Sequence, residues 1–119
     1  MWLPTAGAGI ILIEHRADDH TASRFLARLT HAPTRLLLDA ERAALAALRS
    51  GCLTAASVHA SLDEATGQVT VYAVVLDPAG GTPLRTVTAG PAADSISVGQ
   101  RAGLQLLDAG ADPLLNVRR

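Results

Sequence analysis

The sequence predicts an α+β fold: a three-stranded antiparallel sheet with helices packed on one face, preceded by an N-terminal strand–helix extension. Three observations lead there. Residues 55–62 alternate apolar and polar side chains, and Val69, Val71, Ala73 and Val75 repeat that alternation after a turn over Asp63–Gly67. Asp77-Pro78-Ala79-Gly80-Gly81 is a strong turn that leads into a third run, Leu84–Ala89. Helical periodicity appears on both sides of this β region and not within it.

The elements follow in order. Residues 8–14 contain the aliphatic run Ile10-Ile11-Leu12-Ile13 and read as a buried strand with Gly7 and Gly9 at its start. Asp18 and Asp19 are N-cap candidates for a helix bearing Ala22, Phe25, Leu26 and Leu29, which stops before Pro33. A second helix runs from near Thr34 to about Leu48. Leu37, Ala40, Ala44 and Leu48 form its stripe, and Gly51 is a natural terminator. Three strands come next, the third broken by Gly90-Pro91. Ser95–Ala109 forms the last helix, with Val98, Ala102 and Leu106 on one face. Gly99 and Gly103 each cost that helix about 1 kcal/mol relative to alanine, so close packing is the reason to have them.

Composition narrows the function classes. A chain of 119 residues that is 49% apolar supports one domain with a short extension. With aromatics at only 3%, the core must be Ala, Leu and Val, which implies modest stability. A net charge of −1 argues against a nucleic-acid partner. The four-residue aliphatic run is too short to span a membrane, and no basic segment precedes it as in a signal peptide. One cysteine without a disulfide framework suits the cytoplasm. His15, His20, His31 and His59 lack metal-ligand spacing, so no metal is expected, and His59 falls on the polar, solvent-facing side of its strand. Gly7-Ala8-Gly9 is too short for a phosphate cradle. Cys52, taken alone, is either a packed thiol or a chemical handle.

Four stretches, in order, resemble porphobilinogen deaminase (hydroxymethylbilane synthase), and they resemble its C-terminal portion only. Leu3-Pro4, Gly7-Ala8-Gly9 and Ile13-Glu14-His15-Arg16 are similar to the family's return strand. Asp18-Asp19, the helix after it and Thr30-His31 resemble the next segment. Thr34, Ala40-Glu41-Arg42 and Gly51-Cys52 resemble the cofactor helix and loop. Leu76-Asp77-Pro78-Ala79-Gly80 and the helix with Gly99, Ala102, Leu106 and Gly110-Ala111 resemble the family's end. There are departures: Ala8 replaces a glutamine, His15 a cysteine, Ser50 a glycine, and Ala56 a proline after the cofactor cysteine.

The resemblance implies that residues 1–31 are an extension equivalent to the end of the family's first domain. Residues 32–119 would be the cofactor-attachment domain. It implies a dipyrromethane cofactor bound through a thioether at Cys52, with Gly51 shaping the turn and Arg42 meeting a pyrrole carboxylate. A thiolate on a flexible turn is a suitable nucleophile for that attachment, and a guanidinium fork suits a carboxylate. The family's catalytic aspartate and most of its basic substrate-binding residues belong to its first two domains, so the chain is expected to be inactive alone. Its expected partners are the missing N-terminal catalytic domains or a separate catalytic subunit. The rival expectations are a stand-alone accessory or tetrapyrrole-binding module without catalysis, and a structural domain without chemistry. An unpaired strand over residues 8–14 would need covering, by its own sheet or by a second copy in a homodimer, and the homodimer is the expectation preferred.

Overall fold

The computed structural model describes residues 3–49 and 55–115. Strands β1 (Ala56–Asp63), β2 (Gln68–Val75) and β3 (Leu84–Pro91) form one antiparallel sheet in the order β1-β2-β3. The alternation seen in the sequence sets its two faces. Val58, Ala60, Val69, Val71, Ala73 and Val75 point inward and are at most 2% exposed. The cross-strand row His59, Tyr72 and Val87 lies on the opposite face.

Helices α1 (His20–Ala27), α2 (Ala32–Ala47) and α3 (Ser95–Asp108) surround this frame, followed by a single turn, α4 (Asp112–Leu115). α2 and α3 cover the inner face, and they pack on each other as well as on the sheet. Val98, Ala102 and Leu106 of α3 are fully buried, as expected for its inward stripe. The apolar core consists entirely of Leu, Ala and Val, as the shortage of aromatics requires.

The α2–α3 contact depends on two missing side chains. A Cβ on Gly99 would collide with the Ala40 carbonyl oxygen, and one on Gly103 would lie 2.5 Å from the Ala44 carbonyl oxygen. The backbones touch there, so both glycines are explained by packing. Gly90 has a similar role. Where the sequence suggested a strand break, β3 continues through Gly90 and Pro91, opposite Val69 and Gln68. A Cβ at Gly90 would lie 2.8 Å from Val98 Cγ2, so the glycine makes room for α3. Pro91 is tolerated because it ends an edge strand.

Helix boundaries follow local chemistry. Asp19 caps α1 by accepting a hydrogen bond from the Ala22 N–H at 2.9 Å, as the capping expectation required. α2 begins at Ala32, two residues before the predicted start, with Pro33 inside its first turn, where no N–H is needed. α2 also ends early. Just past the C-cap, Arg49 adopts left-handed backbone at φ 51°. Gly51 lies outside the described residues. The buried stripe of α2 is Leu38, Ala40, Glu41 and Ala44, continued by Leu48, and Leu37 is only half-buried at its margin.

One element is corrected. Residues 8–14 are not a strand and are not buried. Two successive turns, Ala8 N–H to Thr5 O and Ile10 N–H to Gly7 O, both 3.0 Å, open the segment. It then runs on without a ladder partner, leaving Ile11 89%, Leu12 63% and Ile13 55% exposed. A strand exists only where another strand pairs with it, and the described residues offer this segment none. The α1 helix beside it buries no side chain, and Phe25 is 69% exposed.

Candidate functional site

The α2-to-β1 connection and the groove beside α2 make up the candidate site. Cys52 and Gly51, the two predicted attachment residues, lie in that connection and outside the described residues. Its two ends are described. Arg49 leaves α2 in a left-handed turn, and Ala55 anchors the far end by accepting the Leu76 N–H at 2.8 Å. Arg42, the third predicted residue, sits on α2, six residues before Leu48, or roughly 9 Å along the axis.

Arg42 is exposed and makes no hydrogen bond or ion pair among the described residues. Arg35, two turns earlier on the same face, is paired with Asp39, whose carboxylate accepts from Arg35 Nε at 2.9 Å. Arg42 therefore keeps its charge uncompensated among the described residues. It lies at the wall of a groove of about 400 Å³. The opposite wall is the exposed run Gly9–Ile13, and Leu26, Leu29 and Leu38 add apolar surface. One free guanidinium on an apolar, open groove can take an acidic group attached to a flat apolar body. That is the class to which a carboxylated pyrrole belongs.

Sequence reasoning missed Glu41. Glu41 is 5% exposed, yet both its oxygens are used. Oε1 accepts the Ala60 N–H of β1 at 2.8 Å, and Oε2 accepts the Gly7 N–H at 2.7 Å. The His59 imidazole Nδ1 lies 3.6 Å from Oε1. Because β1 is an edge strand, its outward N–H groups need an acceptor, and Glu41 is that acceptor for Ala60. The signal was available: a carboxylate at position 41 lies on the stripe of Leu38, Ala44 and Leu48, where an acid has no place unless it is hydrogen-bonded. His59 itself is exposed, as expected from its side of the strand.

Other chemistry is limited. Among the described residues no group of three His, Cys, Asp or Glu side chains could hold a metal ion. No helix among them is long and apolar enough to cross a membrane.

No family model matches the chain. Individual relatives do. The chain is 38% identical over 113 residues to porphobilinogen deaminase of Chromobacterium violaceum, covering 95% of this chain and 36% of the relative. It is 36% identical over 116 residues to that of Ralstonia nicotianae, covering 95% of this chain and 34% of the relative. It is 32% identical over 114 residues to that of Coxiella burnetii, covering 96% of this chain and 36% of the relative. The chain thus spans about a third of the length of the curated relatives it matches. It is similar to their C-terminal portion.

Proposed function

We propose that this stretch, similar to the last third of porphobilinogen deaminases, is the part of a tetrapyrrole-building transferase that carries its cofactor. Cys52 is the attachment residue, holding a dipyrromethane by a thioether, and Gly51 gives the turn that presents the thiol. The bound cofactor supplies the free pyrrole end on which a linear tetrapyrrole, hydroxymethylbilane, is extended. Arg42 receives one of its carboxylates. The single observation that best supports this reading is the exposed Arg42, unpaired among the described residues, on the helix that leads toward Cys52, in a chain matched to these enzymes over 95% of its length.

The rest of the proposal follows from the share of the relatives that is spanned. Residues 32–119 form the attachment domain, and residues 1–31 are an extension toward N-terminal catalytic domains, or a separate catalytic subunit, that complete the enzyme. Alone, the chain does not make bilane, since general acid–base catalysis needs a group within reach of the proton and the described groove presents no carboxylate to do it. The setting is the cytoplasm. In isolation, a second copy covers the apolar run at residues 10–13, giving a homodimer.

The test is intact-mass analysis after incubation with preformed hydroxymethylbilane, or with porphobilinogen plus a competent N-terminal fragment. The expected result is a dipyrrole adduct on the wild type and none on Cys52→Ser. An unmodified wild type, under conditions that load a full-length deaminase, refutes the attachment. Retention of tetrapyrrole by Cys52→Ser without a covalent adduct would favour a non-catalytic binding module instead.

A further inference from the structure

The groove has two walls of unequal rigidity. One is α2, packed on the sheet and on α3. The other is the Gly9–Ile13 run, which is exposed and has no ladder partner among the described residues. Something must hold the second wall against the first. The segment just before it, Thr5–Ile10, is folded by two turns, and two features dock it on α2. The Gly7 N–H donates to Glu41 Oε2 at 2.7 Å, and a Cβ on Gly7 would lie 3.3 Å from Leu38 Cδ1. Gly7 adopts φ +76°, which turns its N–H toward α2 without a side-chain penalty. The other oxygen of the same carboxylate holds the Ala60 N–H of β1.

We propose that Glu41 is a positioning residue that sets the groove. One buried carboxylate grips both the segment from which the Gly9–Ile13 wall hangs and the edge strand that follows the Cys52 loop. The wall, the Arg42 helix and the exit of the loop are thereby placed relative to one another by a single side chain. A carboxyl group has two oxygens and so offers a separate acceptor to each of the two N–H donors. Glutamine of the same shape offers one acceptor oxygen and a nitrogen that itself donates, so it can keep one grip and must lose the other. Aspartate is a methylene shorter and cannot span both. This role goes beyond the cofactor reading and holds whether or not Cys52 is modified.

The experiment is amide hydrogen exchange by NMR on the full chain, with nuclear Overhauser contacts between Gly7 Hα and the Leu38 methyls. In the wild type both the Gly7 and Ala60 amides are protected and the Gly7–Leu38 contact is present. In Glu41→Gln, exchange at Gly7 or Ala60 rises about tenfold or more, the size expected for losing a hydrogen bond to a charged acceptor. The resonances of residues 9–13 shift with it, while β1–β2 ladder amides keep their protection. Three results overturn the proposal: free exchange of both amides in the wild type, unchanged exchange and contact in Glu41→Gln, or a uniform rise at all amides, which would make Glu41 a stability residue only. The wild-type measurement decides the matter even if the variant does not fold.

Discussion

Gly99 and Gly103 show how much one hydrogen atom can matter. Elsewhere in a helix, glycine to alanine gains about 1 kcal/mol. At Gly99 the new methyl would meet the Ala40 carbonyl, so Gly99→Ala should destabilise instead, by about 1–3 kcal/mol as overpacking does. Urea unfolding measures it, and a stabilised variant would show that the helices have room. Arg42→Ala should do the opposite of a core change. Its side chain is exposed and unpaired among the described residues, so stability should stay within about 0.5 kcal/mol while dipyrrole loading falls. The two glycines were legible because their place on the inward side of the last helix pointed to close packing. Glu41 was not, because a helix stripe is read by counting apolar residues, and its two partners, Gly7 and Ala60, are distant in sequence and donate from the backbone.

Elements were legible where the cause is local and illegible where it is not. The three strands and α3 appear at nearly their expected places, since each carries its own period and its own turn. Residues 8–14 misled because a β-branched aliphatic run shows only readiness to pair, and pairing depends on a neighbour. Just past the end of α2, Arg49 adopts the left-handed conformation more usual for glycine or asparagine. That conformation costs a side-chain-bearing residue about 1 kcal/mol, so Arg49→Gly should stabilise the chain by up to about that amount in thermal unfolding. The β1–β2 turn has a different dependence. The Thr66 hydroxyl, and then the Ala65 N–H, hold the Asp63 carboxyl below its ordinary range. A depressed carboxyl contributes when ionised, so its contribution is present above the ordinary carboxylate range and is lost as pH falls through the folded-state value. Exchange at the Ala65 amide should therefore quicken on acidification, beyond the intrinsic trend, in the wild type and not in Asp63→Asn.

At the scale of the whole molecule, the chain has a packed body and an unpartnered flank. Ile11, Leu12, Ile13, Phe25 and Leu29 are all more than half exposed, a larger apolar surface than a monomer keeps without a use for it. Wild-type protein should therefore self-associate in sedimentation at high concentration, and Ile11→Lys should shift it toward monomer. A clean wild-type monomer would leave the flank to the domains that the longer relatives possess. The body needs no such help to begin folding. Its strands lie in chain order, so β1 meets β2 and β2 meets β3 across short turns, and low sequence separation favours rapid assembly. The α2–α3 contact closes a much longer loop and should form late. Weakening the meander, as with Val71→Ala, should therefore slow refolding, whereas Gly99→Ala should mainly hasten unfolding. A protein built this way can secure its sheet before α3 docks against α2.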